Sequence, residues 1–300
     1  MKKLPVCDKL LNSKKELMTH QFCAPVFVAS SFFGTFLYDE SKLVPDGFDE
    51  NSIRSGTLTF ISYKNEHFAI TCNHVLEALE SRRNAWRKKQ KEEYDFEPPM
   101  EGYQLFTPID NYQYHFNYNL TPANKLSDDS QPDIAIARVN MQSITRLNRK
   151  AIVLAKKEQL PETGIASVYP EQQRSIKNGK RTSTFSPKFS TCMATLQVTD
   201  NGGLIVQDTI DENNGLDSLS GMSGGPIIWS NSNQFGLAGI VTEGLDIQPK
   251  EGQLITEDGI LIHGERITPE IFEQWIKGLP NLVELEDETK SLHIPSGMEE

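Results

Sequence analysis

A glycine-rich loop around one serine carries the strongest chemical signal in the sequence. In the stretch DSLSGMSGGPII, Ser223 follows Gly221 by two residues and directly precedes Gly224 and Gly225. Because glycine has no Cβ, such a loop can turn sharply and direct backbone N–H groups into a site. The loop is either a turn without chemistry or the support of a nucleophilic hydroxyl.

A histidine and an aspartate lie upstream of this loop, each at the end of an apolar segment. His74 follows the run FAITCN, and Asp133 directly precedes IAIARV. Nucleophilic catalysis by serine needs an imidazole base and a carboxylate that orients the imidazole. We therefore predict that Ser223 is the nucleophile, that His74 is the base and that Asp133 fixes the tautomer of His74. The amides of Gly221 and Ser223 are the predicted oxyanion hole.

Short strands are predicted to position these residues. The segments concerned are rich in Val, Ile, Phe and Thr and are separated by turn residues such as Asp, Asn and Gly. Their spacing favours a sandwich or barrel over a sheet with alternating helices. The predicted strands cover residues 26–30, 57–63, 67–71, 134–139, 166–169, 194–198, 203–206, 226–229 and 237–241.

Two helices are predicted beside the strands. The first covers residues 75–93 and contains the basic run SRRNAWRKKQK. We expect this run to face solvent rather than to dock a partner, because charge runs are usually solvated. The second helix begins after Thr268, a favourable N-cap, with Pro269 at its first position, and ends near Gly278.

Four motifs, in this order along the chain, resemble those of the chymotrypsin/trypsin-like serine proteases: ITCNHV, DIAIARV, SGMSGGPII and GLAGIVTEG. They span about Gly56 to Gly244. The resemblance implies an all-β fold of two packed six-stranded antiparallel barrels with a C-terminal helix. His74 and Asp133 would come from the first barrel and Ser223 from the second. It also implies peptide-bond hydrolysis through an acyl-enzyme, with no cofactor and no metal.

The same resemblance divides the chain into five parts. The expected parts are an N-terminal extension over 1–20, a first barrel over 21–145 with a helical basic insertion near 75–95, a second barrel over 146–267, a helix over 268–280 and an acidic tail over 281–300.

Two departures from the family concern activation and compartment. Met222 stands just before the nucleophile, where digestive members carry an aspartate that binds the new N-terminus after zymogen cleavage. That activation route is therefore not expected. Val75 stands where many members have a disulfide cysteine, directly after the catalytic histidine. Both departures indicate an intracellular branch, close in style to HtrA-like or bacterial members.

The resemblance also suggests residues of the substrate pocket. Asp217 lies six residues before Ser223, where the trypsin branch has the carboxylate that pairs with Lys or Arg. Asp217 is either this selector or a solvated loop acid, and both interpretations stay open. Thr242 matches a small hydroxyl residue that hydrogen-bonds the catalytic aspartate, and Glu243 and Gly244 would lie at the pocket wall.

Charge and cysteine usage exclude several classes of partner and site. A net charge of −11 argues against binding to nucleic acid or anionic membrane, since both need an excess of Lys and Arg. The four cysteines show neither CxxC spacing nor a disulfide framework, so no structural zinc site is predicted. No signal-peptide h-region is found, and we expect a cytoplasmic protein. Its partners would be a protein or peptide substrate and a regulatory protein that restrains activity.

Two other functions compete with that of a serine endopeptidase. A serine esterase of the α/β-hydrolase type requires the order Ser, acid, His and a helix after the serine. Here His74 and Asp133 precede Ser223, and a predicted strand follows it. A catalytically inactive binding or scaffold protein has no need for a complete triad, which argues against that alternative.

Overall fold

The computed structural model describes most of the chain. Asp217, the predicted pocket acid, lies outside the described residues, as does most of the predicted 281–300 tail. The described ranges are 4–30, 54–94, 103–109, 112–115, 118–125, 131–155, 160–161, 163–170, 175–178, 183–186, 188–200, 202–209, 221–247, 259–282 and 292–293.

The first half of the chain forms one sheet, after two 3₁₀ helices at Asp8–Leu10 and Thr19–Phe22. Its strands are β1 (Cys23–Ser30), β2 (Arg54–Tyr63), β3 (Glu66–Thr71), β4 (Tyr103–Ile109), β5 (Tyr112–His115), β6 (Thr121–Pro122), β7 (Ala135–Val139) and β8 (Ile152–Val153). The order across the sheet is β5-β4-β1-β2-β3-β7-β6, with antiparallel neighbours. β8 pairs in parallel with β2.

The second half of the chain forms a closed barrel. Its strands, with a separate hairpin and a last short strand, are β9 (Thr163–Val168), β10 (Ser175–Asn178), β11 (Ser183–Ser186), β12 (Ser190–Val198), β13 (Leu204–Thr209), β14 (Pro226–Ser230), β15 (Phe235–Ile247), β16 (Gly259–Arg266) and β17 (Leu292–His293). The barrel order is β12-β13-β16-β15-β14-β9, β10 pairs with β11, and β17 joins the first sheet beside β5.

The predicted all-β fold of two six-stranded antiparallel units with a C-terminal helix is confirmed. Six strands of the first sheet have four residues or more, and six strands form the barrel. Across the ranges given above, the second unit closes on itself, whereas the strand order of the first remains open. Each predicted strand lies within or overlaps an observed one, but β4, β5, β16 and the shorter strands were not predicted.

Side-chain alternation explains how the two units share an interior. Successive side chains of a strand point to opposite faces. On β14, Ile227 and Trp229 belong to the barrel core, while Ile228 between them packs in the core of the first unit. On β9, Ala166 belongs to the barrel core and Ile165 to the core of the first unit. Both strands are buried along their whole length, so this wall of the barrel is also a wall of the first core.

The longest helix, α1 (Asn73–Tyr94), follows β3 after a single residue. Val75, Leu79 and Trp86 are its buried residues, and their spacing of four and seven puts them on one face. The opposite face is polar. Within the described ranges, no helix is long and apolar enough to cross a membrane.

The basic run on α1 is only partly solvated, which differs from the expectation. Arg83 Nε donates to the carbonyl of Tyr103 at 2.9 Å, and the Arg82 guanidinium lies 5.8 Å from the centre of the Tyr103 ring. Their long side chains cover the end of β4, since arginine can bury its stem while its head finds a partner. Arg87 and Lys88, further along the helix, are exposed.

Two shorter helices complete the fold, α2 (Met141–Arg146) and α3 (Pro269–Trp275). The predicted N-cap of α3 is confirmed, because the Thr268 side chain accepts a hydrogen bond from the first turn at 3.2 Å. The Phe272 ring packs edge-on against Phe68 of β3, with ring centres 5.0 Å apart. The last helix therefore fastens the end of the barrel domain to the first sheet.

The serine loop approaches the first sheet most closely at Gly224. Its φ of +92° is a conformation that side chains with a Cβ rarely adopt. A Cβ there would lie 2.0 Å from the carbonyl oxygen of Thr57 and 2.5 Å from Thr71 Oγ1. Gly224 is thus required both by its backbone conformation and by the space between the two units.

Substitution of Gly224 tests this contact. Gly224→Ala should lower the free energy of unfolding by roughly 2 to 5 kcal/mol, from the strained φ and the clash with β2 together. Gly202→Ala is the matched control, because Gly202 also has a positive φ of +83° but has open space around it. It should cost only about 1 kcal/mol. Denaturant unfolding measures both, and equal losses would contradict the proposed close approach.

Candidate active site

The pairing of β3 with β7 brings the predicted histidine and aspartate together. Thr71 at the end of β3 is opposite Ala135 on β7, so the residues just beyond them are also neighbours. His74 Nδ1 lies 2.6 Å from Asp133 Oδ2, and the backbone N–H of His74 donates to Asp133 Oδ1 at 3.0 Å. The carboxylate assigns the ring proton to Nδ1, which leaves Nε2 as the proton acceptor.

The electrostatic surroundings of His74 favour its charged form. The hydrogen bond to Asp133 raises the pKa of His74 above its ordinary value, although partial burial opposes this rise. The carboxylates of Glu77 and Glu243 raise the same pKa further. Because 47% of the His74 side chain is exposed, solvent screens these interactions.

The backbone of the serine loop is held by hydrogen bonds to both units. The carbonyl of Ser223 accepts from the N–H of Thr57 at 2.8 Å, and that of Gly224 accepts from Thr59 Oγ1 at 2.7 Å. The N–H of Gly224 donates to the carbonyl of Val241 at 2.8 Å. By contrast, the N–H of Ser223 has no hydrogen-bond partner among the described residues. It is a donor that a substrate oxyanion could use.

The other predicted oxyanion donor belongs to Gly221. This glycine has a φ of +82°, which favours glycine, and its N–H likewise has no partner within the described part of the chain. Met222, the departure noted in the sequence, is 1% exposed and packs in the barrel core. Its side chain therefore holds the loop in place by apolar packing in the barrel core.

The hydroxyl of Ser223 is directed to a carbonyl rather than to the histidine. Ser223 Oγ donates to the carbonyl of Thr242 at 3.2 Å. Val241 pairs with Gly264 and Glu243 with His263, so Thr242 is the extra residue of a bulge between β15 and β16. Bulges turn a backbone group away from the regular ladder. In the described structure, no hydrogen bond joins Ser223 to His74.

The two sides of the site meet over Gly56 on β2. A Cβ on Gly56 would lie 3.0 Å from Val75 Cγ2 and 3.3 Å from the carbonyl oxygen of Ser223. Val75 directly follows His74, so the start of α1 and the serine loop both lie against Gly56 of the first sheet. The structure therefore brings His74, Asp133 and Ser223 into one region between the two units.

Three of the four predicted pocket residues lie on β15. Glu243 is exposed and Gly244 half-buried, both on β15 beyond the bulge. Thr242 reaches the site through its carbonyl, and the expected hydrogen bond from its hydroxyl to Asp133 is not formed within the described residues. The two carboxylate oxygens of Asp133 accept instead from the backbone N–H and the ring Nδ1 of His74. Asp217 falls outside the described ranges.

Two further titratable residues near Asp133 were missed by sequence reasoning. Burial raises the pKa of Glu265 on β16, and the Asp133 carboxylate raises it further, against a lowering by the backbone N–H of Asp133. Burial also raises the pKa of the Cys72 thiol well above its usual range. β16 has no motif that would have drawn attention to Glu265, whereas Cys72 lies two residues before His74 in a motif already singled out.

Comparison with known proteins gives structural neighbours only. No family model matches the chain, and no curated protein matches it. Among solved structures, it is similar to the thermostable serine protease AL20 of an extremophilic microorganism, with 9% identity, 85% of this chain and 95% of that chain covered, and a TM-score of 0.44.

Two further solved structures are similar at comparable levels. Protease Anisep from Arthrobacter nicotinovorans has 10% identity, covering 85% of this chain and 94% of its own, with a TM-score of 0.45. The serine protease domain of Sesbania mosaic virus polyprotein has 13% identity, covering 75% and 86%, with a TM-score of 0.36. Since these TM-scores are below 0.5, the chemistry of the site rests on its own residues.

The His74–Asp133 pair can be tested by titration. In Asp133→Asn, the pKa of His74 should fall below its value in the unsubstituted protein, because the carboxylate is lost while the burial remains. NMR of the His74 ring protons, in a chain that also carries Ser223→Ala, measures this pKa. Glu77→Gln should give a smaller fall. An unchanged His74 pKa in Asp133→Asn would contradict the pairing.

The same pair makes a pH-dependent contribution to stability. The folded-state pKa of His74 is raised, so the contribution is complete below the ordinary histidine pKa of about 6.5 and is lost as pH rises through the folded-state pKa. The difference in unfolding free energy between the unsubstituted protein and Asp133→Asn should therefore shrink over that pH window.

Proposed function

We propose that this protein is a serine endopeptidase that acts through an acyl-enzyme on Ser223. One observation carries the proposal: a histidine–aspartate pair at 2.6 Å and a glycine-framed serine meet between the two units, pressed on either side of Gly56. Within the described ranges, the backbone N–H of Ser223 has no hydrogen-bond partner. A base, an orienting acid, a nucleophile and an oxyanion donor are what acyl transfer requires.

The proposed reaction follows from these positions. Ser223 Oγ attacks the substrate carbonyl carbon, and its proton passes to His74 Nε2. Asp133 stabilises the imidazolium that forms, and the N–H groups of Ser223 and Gly221 bind the oxyanion. The C–N bond then breaks as His74 returns the proton to the leaving amine. Water attacks the acyl-enzyme by the same route and restores the free hydroxyl.

The hydroxyl must first leave the carbonyl of Thr242. A rotation about χ1 of Ser223 exchanges the 3.2 Å bond to that carbonyl for a bond to His74. Catalytic hydrogen bonds in substrate-free enzymes are often unformed and tighten only in the complex. We therefore propose that the described arrangement is the resting state of the enzyme.

The resting hydroxyl also favours one rival function. A catalytically inactive protein that uses this fold for binding would have no need of a bond between Ser223 and His74. The esterase alternative has less support, because a strand, β14, follows the serine where an α/β hydrolase needs a helix. The endopeptidase remains the better account of the His74–Asp133 pair.

Substrate, partner and compartment belong to the same proposal. We propose a protein or peptide substrate, a regulatory protein partner and a cytoplasmic location. The four cysteines are all free and buried, which fits a reducing compartment. Glu243, exposed beyond the bulge and acting on His74, gives the cleft acidic character, whether or not Asp217 adds to it.

Covalent labelling tests the nucleophile. A fluorophosphonate probe should modify Ser223, and Ser223→Ala should abolish both labelling and proteolysis, with a loss of about 10⁶-fold in kcat. Asp133→Asn should lose about 10⁴-fold, because His74 then adopts the wrong tautomer. Ser81→Ala, which removes an exposed hydroxyl on α1, is the control and should retain both activities. Absence of labelling in the unsubstituted chain would favour the binding protein.

The pH dependence of activity gives a second test. His74 must be neutral to accept a proton, so activity should rise as pH passes through its raised pKa, above about 6.5. Glu243→Gln should move this rise to lower pH, because one carboxylate that favours the imidazolium is gone. Asp200→Asn, at the exposed turn between β12 and β13, should leave the profile in place. A profile that is insensitive to Glu243 would contradict its placement.

A further inference from the structure

Three side chains with different metal-binding atoms converge at the base of the site. The Cys72 sulfur, a ring nitrogen of His74 and a carboxylate oxygen of Asp133 all lie within 4.8 Å of one another. No other such group occurs in the ranges that the structure describes. Thiolate, imidazole and carboxylate are the ligands that Zn²⁺ takes in proteins.

The arrangement leaves one side of the group open to solvent. The side chains of His74 and Asp133 are 47% and 37% exposed, whereas Cys72 lies buried beneath them. The Cys72 thiol donates to the carbonyl of Val241 at 3.1 Å, a weak hydrogen bond that a metal–sulfur bond can replace. An ion can therefore approach from the exposed side and reach the sulfur.

Small side-chain movements would produce tetrahedral coordination. With zinc bonds of about 2.0 Å to nitrogen and oxygen and about 2.3 Å to sulfur, the ligand atoms stand roughly 3.3 to 3.5 Å apart. The 2.6 Å distance between His74 Nδ1 and Asp133 Oδ2 must increase, and any distance to the Cys72 sulfur above that range, up to the 4.8 Å limit, must decrease. Rotation of the exposed imidazole and carboxylate can supply both changes. A water molecule would complete the coordination.

The local charge favours a cation. Glu77 and Glu243 act electrostatically on His74, and Glu265 acts on Cys72. Among the described residues, neither a lysine nor an arginine shifts the pKa of His74 or Cys72. With one sulfur and one nitrogen among three ligands, the group suits Zn²⁺ or Co²⁺ rather than Mg²⁺ or Ca²⁺, which prefer oxygen ligands.

We propose that Cys72, His74 and Asp133 form an inhibitory site for a thiophilic divalent cation such as Zn²⁺. The binding itself is independent of the proposed function, and only the inhibition rests on it. The same two residues that activate Ser223 become metal ligands, so catalysis and metal binding exclude each other. The cation would thus restrain the enzyme without any cleavage of the chain.

The inhibition follows from the tautomer of His74. The Nδ1–H bond breaks, its proton passes through water to Nε2, and Zn²⁺ binds the lone pair that this frees on Nδ1, so that the imidazole stays neutral. Nε2 then has no lone pair to accept the proton of Ser223. At Cys72 the S–H bond breaks, the Zn–S bond forms and the proton passes to water, while the metal stays divalent. The Asp133 carboxylate binds the metal and no longer orients the ring.

Metal binding can be measured without catalysis, in the full-length Ser223→Ala chain. Co²⁺ should produce the thiolate-to-cobalt charge-transfer band. Zn²⁺ should displace the bound Co²⁺ and so remove the band, whereas Mg²⁺ should not. Cys72→Ala should abolish the band and weaken Zn²⁺ binding by at least roughly 10- to 100-fold, the loss that even an outer partner of a metal ligand causes. Cys192→Ala, which removes a buried cysteine of the barrel core, should retain the band.

A second measurement links binding to inhibition. In the chain with Ser223 intact, Zn²⁺ should slow fluorophosphonate labelling and a chelator should restore it. In Cys72→Ala, the labelling rate with Zn²⁺ should equal the rate of the same variant without metal. Circular dichroism checks its fold, and Cys72→Ser serves as the replacement where Cys72→Ala unfolds.

The outcomes separate the two proposals. Zn²⁺ affinity that is unchanged in Cys72→Ala, or Co²⁺ binding without the thiolate band, would overturn the metal site. A thiolate band that depends on Cys72, in a chain that no probe labels in the absence of metal, would support the metal site and overturn the proposed function. Labelling that Zn²⁺ leaves unaffected, despite the band, would overturn the inhibition.

Discussion

Two hydrogen bonds between the sheet and the barrel decide where Ser223 lies. The N–H of Thr57 and the hydroxyl of Thr59, both on β2, bind the carbonyls of Ser223 and Gly224. Leaving a buried polar group unpaired costs about 1 to 3 kcal/mol, so the loop cannot slide along β2 without loss of stability. The absence of a Cβ at Gly224 allows this approach. The geometry of the site thus depends on the packing of the two units.

The bulge on β15 adds a second constraint. One extra residue at Thr242 interrupts the ladder with β16 and turns a carbonyl to the serine. The Ser223 hydroxyl bonds this carbonyl in the structure, and under the proposed function it would move from there to His74. In the proposed mechanism, the resting state and the reactive state differ by a single rotation of the Ser223 side chain.

The acidic surroundings of the site connect catalysis with metal binding. Asp133 and nearby glutamates favour the imidazolium of His74. Under the proposed function, they stabilise the charge formed during attack and require a pH above the raised pKa for activity. The same negative charge, with the thiol of Cys72 below, attracts a thiophilic cation. One arrangement of side chains accordingly supports both proposals, and the two compete for the imidazole of His74.

The sequence by itself determined the candidate residues of the site and the local elements that carry them. The glycines around Ser223, the cap at Thr268 and the predicted strand over 194–198 are local signals, because turns, caps and strand propensity depend on near neighbours. It could not determine the bulge at Thr242, the place of Glu265 beside Asp133, or the approach of Cys72 to His74 and Asp133. These depend on the register of strands far apart in the chain. Register is set by packing across the whole molecule, and so only the tertiary structure decided it.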